Sequence, residues 1–322
     1  MTSGCAKPII YLPLKQDAQR MDDLGAILLL QGGFALNMVL FSALCLGACA
    51  ALIGVFFYLR KDILIADALS HATLPGIGAG FLLALALGIN GGMAPAFLLI
   101  GAFASAVLGG AGVQWITRHT RLSHDSAIAS VLSVFYAAGI VLFSGIQRLD
   151  NASQAGLNHF LLGQIAGMQV HEAFMICALS IIVLGGCVLY FRDFLLLSFD
   201  QTYAQCLGRP TTRLDKIMLG LMLGVICLGL KTVGLVLILA LLVMPAAIAR
   251  FWSARIVPMS LLSVLIGAGA CYGGAALSAF YKNAPTGSTI ILVLAAMLVF
   301  SFVFGVQKGL LFMKRGANYV GS

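Results

Sequence analysis

An aspartate and a histidine stand four residues apart in otherwise apolar sequence, as Asp67 and His71. On a helix this spacing places both side chains on one face, close enough to contact one bound cation. A carboxylate and an imidazole are both competent ligands for Mn²⁺, Zn²⁺ or Fe²⁺. From Thr73 to Thr117 no charged residue or histidine occurs, so the pair lies at the edge of a long apolar stretch. Ionisable groups are costly at such a position, which favours a functional role. The alternative is a helix-capping Asp and an interfacial His.

Composition places the chain among helical membrane proteins. Of its 322 residues, 61% are hydrophobic and only 9% are charged, and the mean hydropathy is +1.04. A soluble domain carries about 25% charged residues. The apolar runs are far longer than the roughly ten residues of a barrel strand, and they do not alternate. We therefore predict an all-α, polytopic bundle of transmembrane helices.

The apolar runs predict eight or nine membrane spans, because most of them exceed the roughly 20 residues that cross a bilayer as a helix. They are Phe34–Leu59, Ile63–Ile89, Ala94–Ile116, Ala127–Phe143, Phe174–Phe191, Leu214–Leu230, Val233–Phe251, Val257–Phe280 and Ile290–Leu311. This pattern divides the chain into an N-terminal extension (1–33), a transmembrane domain (34–313) and a short tail (314–322). Within the extension, Leu24–Leu30 could form an interfacial helix, and a disordered segment is the alternative.

Lys and Arg are distributed unevenly between the segments that join the spans. If the amino terminus is outside and the spans alternate, thirteen of the 19 Lys and Arg residues fall in the cytoplasm. The positive-inside rule then predicts an outside amino terminus and a cytoplasmic carboxyl terminus. The net charge of +8 is interpreted in this way and not as a sign of nucleic-acid binding.

Motifs of several enzyme classes are missing from the sequence. It has no phosphate-binding loop, no His-Glu-x-x-His and no Gly-x-Ser-x-Gly elbow, and its only Glu is Glu172. We therefore do not expect an enzyme, and any ATP hydrolysis would belong to a partner chain.

Further polar residues lie between the fourth and fifth predicted spans. His159, His171 and Glu172 are candidate metal contacts on the outer face. The alternative is that they are ordinary interfacial polar groups.

Small residues in the spans predict where helices approach one another. Three glycine pairs with a spacing of four residues are interpreted as close-approach faces. They are Gly76 and Gly80, Gly220 and Gly224, and Gly269 and Gly273. The cysteines within spans form no Cys-x-x-Cys pair, and we interpret them as packing residues.

Several motifs occur in a recognisable order. The first is Arg60-Lys61, followed by Asp67-Ala-Leu-Ser-His71-Ala-Thr-Leu-Pro75-Gly76-Ile. Later come Ser123-x-Asp125-x-Ala127, Phe160-Leu-Leu-Gly163, Phe199-Asp200-Gln-Thr-Tyr-Ala204-Gln-Cys-Leu-Gly208, Lys231-Thr-Val-Gly234, Ala240-Leu-Leu-Val-Met-Pro245 and Asn283-Ala-Pro285-Thr-Gly287-Ser-Thr289. From about Phe34 to Leu311, the chain resembles the membrane permease subunit of zinc/manganese/iron-type ABC importers.

This resemblance implies a permease of the bacterial inner or cytoplasmic membrane that works with other subunits. Two permease copies, identical or paralogous, would enclose a central path faced by Asp67 and His71 of each copy. An extracytoplasmic protein would deliver the metal, and cytoplasmic ABC ATPase subunits would bind the segment that contains Asp200, Ala204 and Gly208. Gln201-Thr202 stand where the family commonly has Pro-Glu. We expect the stretch Asp200–Arg209 to form a short coupling helix that rests in a groove of the ATPase, and an ordinary amphipathic cytoplasmic loop is the alternative.

The chemistry of the pair suits a transported metal, and no permanently bound cofactor is expected. A bare divalent cation in a low-dielectric path needs ligands to offset its lost hydration. A closed cage of four ligands, as in structural zinc sites, would oppose its release, so few ligands are expected. Asp67 and His71 from each of two copies would provide about four ligand atoms. Mn²⁺, Zn²⁺ and Fe²⁺ all accept such ligands.

Three other functions remain open from the sequence. An ion-coupled secondary transporter would use Asp67 and His71 as a proton relay. A membrane-embedded enzyme would use them as acid and base, although the spans carry few other polar groups. An ABC permease for metal chelates or cobalamin is the related alternative, but such a permease has no reason to keep this ligand pair.

Overall fold

The fold is known from a computed structural model, which describes residues 34–88, 94–148, 170–280 and 285–307. These residues form eleven helices and no strand. In chain order the helices are α1 (Phe34–Arg60), α2 (Ile63–Ala86), α3 (Ala94–His119), α4 (His124–Ile146), α5 (Val170–Leu189), α6 (Phe191–Phe199), α7 (Gln201–Cys206), α8 (Thr211–Thr232), α9 (Leu235–Trp252), α10 (Ile256–Phe280) and α11 (Thr286–Phe304). The predicted all-α class is confirmed.

Eight of these helices are long and apolar enough to cross a membrane. Each falls on one of the predicted spans. The ninth predicted span corresponds to α8, which has 22 residues but carries Arg213, Asp215 and Lys216 near its start. At a rise of 1.5 Å per residue, α8 is about 33 Å long, which is sufficient for a bilayer. The predicted number of eight or nine spans is therefore confirmed.

The sequence did not indicate α6. We expected the fifth span to end at Phe191, but α5 ends at Leu189 and a separate nine-residue helix follows. Phe191 and Phe194 of α6 pack edge-on against Phe56 of α1, each with ring centroids 5.5 Å apart. Burial of these aromatic rings against the central helix fixes α6 in place.

Helix α1 is the centre of the bundle, since 89% of its membrane-spanning window is buried. Small residues allow α9 and α10 to approach it closely. A Cβ on Gly47 would lie 2.5 Å from the carbonyl oxygen of Gly267, and a Cβ on Gly54 would overlap the carbonyl of Leu242. The hydroxyl of Ser263 donates to the carbonyl of Ala51 at 3.2 Å.

Helices α2, α3 and α4 form a second tightly packed group. A Cβ on Gly76 would overlap the carbonyl oxygen of Gly101, and a Cβ on Gly80 would lie 2.5 Å from the carbonyl oxygen of Phe97. The predicted close approach at Gly76 and Gly80 is therefore confirmed. It fixes the rotation of α2 about its axis.

The other two glycine predictions were wrong. A Cβ on Gly220, Gly224, Gly269 or Gly273 would meet no atom within 4 Å among the described residues. The close contact of α10 with α11 occurs instead at Gly274, where a Cβ would lie 2.5 Å from Cγ1 of Ile290. A spacing of four residues identifies one helix face, but it does not identify the face that meets a neighbour.

The ends of several helices meet at one end of the bundle. Arg60 ends α1 and pairs with Asp215 at the start of α8, while Asp62 at the start of α2 pairs with His124 at the start of α4. We call this end of the bundle the Arg60 end. Most of the Lys and Arg residues in the described ranges lie in the helix ends and short connections on this side. They are Arg60, Lys61, Arg118, Arg121, Arg192, Arg209, Arg213, Lys216, Arg250 and Arg255.

Candidate functional site

Asp67 and His71 lie on one face of α2, as their spacing predicts. Nε2 of His71 is 3.4 Å from Oδ1 of Asp67. The two side chains are 22% and 41% exposed, respectively, so they are accessible without being fully solvated. His71 is eight residues from the start of α2, which places it about 12 Å from the Arg60 end along the helix.

The exposed side of α2 is narrow. The neighbours Ala66, Ala68, Leu69, Ser70 and Ala72 are buried against the rest of the chain. Along the same helix, Leu64 and Leu83 are 52% and 54% exposed. The pair therefore lies on a strip of α2 that the described part of the chain leaves partly open.

One ring nitrogen of His71 is without a hydrogen-bond partner in the described part of the chain. Its Nδ1 is buried and has no hydrogen-bond partner among the described residues. The imidazole ring packs edge-to-face against the ring of Tyr136 on α4, with centroids 5.1 Å apart and an interplanar angle of 83°. A second ring in this position restricts rotation of the imidazole.

Sequence reasoning missed Tyr136. It lies 65 residues beyond His71, and no spacing rule connects the two positions. One signal was present in the sequence. Ser126, Ser130 and Ser133 precede Tyr136 at helical intervals, so α4 carries a series of hydroxyl groups within an apolar span.

One chain does not complete a metal site with these residues. Among the described residues, no group of three or more His, Cys, Asp and Glu side chains could hold a metal ion. Asp67 and His71 offer one carboxylate and one imidazole, which together leave the coordination of a divalent cation unfilled. Further ligands would have to come from outside these described residues.

Of the three candidate outer-face residues, only Glu172 has a side chain that the structure describes. His159 lies outside the described residues, and the side chain of His171 is not described. Glu172 lies in the first turn of α5, at the end of the bundle opposite the Arg60 end. A metal role for these three residues stays a prediction.

The segment from Asp200 to Gly208 forms a capped short helix, α7. The side chain of Asp200 accepts a hydrogen bond from the amide of Tyr203 at 2.8 Å, as an N-cap does. Ala204 is buried at 1% exposure. Gly208 has φ of +73°, and its amide donates to the carbonyl of Gln205 at 2.9 Å.

A second hydrogen bond completes the C-terminal cap of α7. The amide of Arg209 donates to the carbonyl of Ala204 at 3.1 Å, and the two bonds together form a Schellman motif. Asp200 thus caps the amino terminus of α7, Ala204 provides its buried contact and Gly208 ends it. The helix makes about one and a half turns. The segment forms the expected short helix. Its contact with an ATPase stays a prediction.

The fold and the site define a class of protein: a polytopic helical membrane protein that carries a carboxylate and an imidazole side by side on one face of a spanning helix. Residues 31–305 match the ABC 3 transport family, and the chain belongs to that family. The resemblance to the permease subunit of metal-type ABC importers is therefore confirmed.

Several proteins of known name are similar to this chain. The manganese transport system membrane protein MntC of Bacillus subtilis is 35% identical over 272 residues, which are 84% of this chain and 61% of that protein. The chain thus spans about three fifths of the length of that relative. The zinc transport system membrane protein TroC of Treponema pallidum is 32% identical over 89% of this chain and 94% of that protein.

A solved structure is similar over nearly the whole chain. PsaBC from Streptococcus pneumoniae in complex with Fab matches with a TM-score of 0.74 and 28% sequence identity. The match covers 92% of this chain and 99% of that chain. The order and packing of the helices described above are therefore shared with that protein.

Proposed function

We propose that this chain is the membrane-spanning subunit of an ABC importer that moves a divalent transition metal across a bacterial cytoplasmic membrane. The observation that carries the proposal is the partly exposed strip of α2, where the side chains of Asp67 and His71 are 41% and 22% exposed. An ionisable pair exposed within a span requires a polar neighbour, because hydrocarbon solvates charge poorly. A path that conducts cations would give the pair these polar surroundings.

Two copies of the chain would complete the metal site. A two-fold axis beside α2 would bring the same strip from each copy together, since such an interface uses one surface twice. Two carboxylates and two imidazoles would then surround one cation. Because each copy supplies only two of these ligands, a small movement between the copies would open the site and release the metal.

Manganese is the metal that we propose first. The similar proteins of Bacillus subtilis and Listeria innocua are named as manganese transport proteins, and the protein of Treponema pallidum is named for zinc. Oxygen-rich sites suit Mn²⁺, and a site with mixed oxygen and nitrogen ligands also accepts Zn²⁺. Iron was included among the expectations from the sequence, but none of these names supports it.

Helix α7 is the proposed contact for a separate ATPase. It lies at the Arg60 end, beside the positive side chains. Phe199, Tyr203 and Leu207 are 61%, 55% and 55% exposed around it. Large apolar side chains on a short, well-capped surface helix are typical of a docking surface. ATP binding on the partner would move α7 and, through it, α8.

The Arg60 end is then the cytoplasmic end. The concentration of Lys and Arg residues there follows the positive-inside rule. The amino terminus would be outside, and a binding protein would deliver metal to the opposite end of the bundle. No observation favours the secondary transporter, the membrane enzyme or the chelate permease over this assignment.

The experiment that tests the proposal measures ⁵⁴Mn²⁺ uptake by the complete importer in proteoliposomes. Asp67→Asn keeps the side-chain shape and removes the charge, and His71→Ala removes the imidazole. Loss of one ligand in a low-dielectric path should lower uptake about tenfold or more. His119→Ala is the matched control, because His119 is exposed at the end of α3 and bonds to the carbonyl of Trp115.

Two results distinguish a role of Asp67 and His71 in transport from a structural role. Loss of uptake in complexes that assemble normally supports the proposal, provided that His119→Ala transports as the native protein does. Native uptake by both Asp67→Asn and His71→Ala would show that the pair is structural. Competition by Zn²⁺ and Fe²⁺ in the same assay would rank the metals.

A further inference from the structure

The exposed face of α4 carries hydroxyl groups from the first turn to the middle of a membrane span. Ser126, Ser133 and Tyr136 are all exposed, and Tyr136 reaches 44% exposure. On a helix with 100° between residues, these three positions fall within one sector of about 80°. We call this sector the hydroxyl face.

The hydroxyl face differs from the exposed surface of the neighbouring helices. On α5 the exposed side chains are large and apolar, such as Phe174, Ile181 and Ile182, with 61%, 59% and 63% exposure. Helix α3 likewise exposes Ile100 and Leu108. These helices have the surface expected next to lipid tails. Helix α4 also exposes Val134, Ile140 and Val141, at 66%, 46% and 71%, but it adds a row of hydroxyl groups to that surface, and only Ile140 of the three lies within the hydroxyl face.

The hydroxyl groups keep acceptor capacity despite their local bonds. The Ser133 hydroxyl donates its proton to the carbonyl of Ala129 at 2.9 Å. A hydroxyl oxygen that donates once still has two lone pairs, and these can accept from water or contact a cation. The face is therefore a row of oxygen acceptors directed away from the chain's own core.

The hydroxyl face begins at the metal-ligating pair. Tyr136 contacts His71 through its ring. Helices α2 and α4 run parallel, because Asp62 pairs with His124 at their starts and Gly139 packs on Leu74 further along. Ser133 is thus about one turn nearer the Arg60 end than Tyr136, at the level of Asp67. Ser126 is about 10 Å further in the same direction.

We propose that Ser126, Ser133 and Tyr136 form the wall of the metal path between the Asp67–His71 pair and the Arg60 end, with a hydrated divalent cation as their ligand. The inference rests on the proposed function. The ring of Tyr136 positions the imidazole of His71. Its hydroxyl and those of the two serines replace part of the hydration of the cation as it leaves the pair. Neutral oxygen acceptors bind such a cation weakly, which allows it to move on.

The first experiment asks whether the hydroxyl face contacts water. Ser126→Cys, Ser133→Cys and the control Ile181→Cys are made separately in the complete importer, with Cys5 and Cys206 replaced by Ser. A positively charged, water-soluble methanethiosulfonate reagent is then applied to membrane vesicles. A thiol reacts as its thiolate, which forms only where water is present.

We expect both serine replacements to be labelled severalfold faster than Ile181→Cys. Millimolar MnCl₂ should slow the labelling of Ser133→Cys severalfold, because the cation occupies the same space. Labelling of Ser133→Cys at the rate of Ile181→Cys would overturn the proposal. Labelling that is fast but unaffected by MnCl₂ would also overturn it, since the space would then hold water and no cation.

A second experiment separates the ring of Tyr136 from its hydroxyl. Tyr136→Phe keeps the ring against His71 and removes one acceptor, so KM for Mn²⁺ should rise severalfold with an unchanged maximal rate. Tyr136→Leu also removes the ring and should lower the maximal rate. An unchanged KM in Tyr136→Phe contradicts the role of the hydroxyl.

These outcomes are independent of the test of Asp67 and His71. If Asp67→Asn and His71→Ala lose uptake while Ser133→Cys stays unlabelled, the proposed function stands and this inference fails. If Ser133→Cys is labelled and protected by MnCl₂ while Asp67→Asn imports normally, the ligand assignment fails and the hydroxyl face stands.

Discussion

Arg60, the last residue of α1, forms an ion pair with Asp215 in the first turn of α8. The same guanidinium contacts Asp62 through Nε at 2.6 Å, and Asp62 lies 3.6 Å from Nε2 of His124. Four helix ends are therefore linked at one place. Helix α8 follows α7 directly, and α2 carries Asp67 and His71, so these contacts join the proposed ATPase contact to the proposed metal site.

The Arg60–Asp215 ion pair should stabilise the bundle. In Asp215→Asn, the guanidinium of Arg60, which is only 23% exposed, loses one of the two carboxylates that it contacts. We expect a loss of about 1–3 kcal/mol and a fall in Tm of several degrees, measured on the detergent-purified complex. The double variant Arg60→Asp with Asp215→Arg should recover part of the loss. A Tm equal to that of the native protein in Asp215→Asn would contradict this prediction.

Gly76 should be intolerant of any side chain. Gly76→Val would place atoms into the backbone of Gly101, and overpacking of this kind costs about 1–3 kcal/mol. Because the contact also fixes the rotation of α2, uptake of ⁵⁴Mn²⁺ should fall together with Tm. Gly185→Ala is the control, since a Cβ there meets nothing within 4 Å among the described residues. Equal stability of the two variants would show that α2 and α3 can separate without cost.

Gly208 should link transport to ATP hydrolysis. Its φ of +73° is strained for any residue with a Cβ, and Gly208→Val should cost about 1–2 kcal/mol locally by disrupting the cap of α7. We expect the purified complex to lose most of its partner ATPase, or to hydrolyse ATP without moving metal. Co-purification and the ratio of ATP hydrolysed to Mn²⁺ imported measure these two effects. A ratio of ATP hydrolysed to Mn²⁺ imported equal to that of the native complex would show that α7 does not couple the two processes.

The orientation of the chain can be tested by cysteine labelling from each side of the membrane. Single cysteines replace Ala284 and Ala317 in a background without other cysteines. With the Arg60 end in the cytoplasm, position 284 should react in intact cells and position 317 only after permeabilisation. The reverse pattern would place α7 outside the cell and exclude its contact with an ATPase.

The sequence by itself determined the features that depend on neighbours along the chain. The length of the apolar runs predicted the spans, because a helix needs about 20 apolar residues to cross a bilayer. The spacing of Asp67 and His71 placed both side chains on one helix face for the same local reason. Asp200, Ala204 and Gly208 likewise marked a short helix whose capping bonds all lie within ten residues.

The tertiary structure alone decided which faces meet. His71 contacts Tyr136 and Arg60 pairs with Asp215 across long stretches of chain. Helices α10 and α11 meet at Gly274, one residue beyond the predicted Gly273. One residue turns a helix by 100°, and the hydropathy of a membrane helix is similar on all its sides. The rotation of each helix is therefore set by close packing and a few polar contacts, which the order of residues along one helix does not reveal.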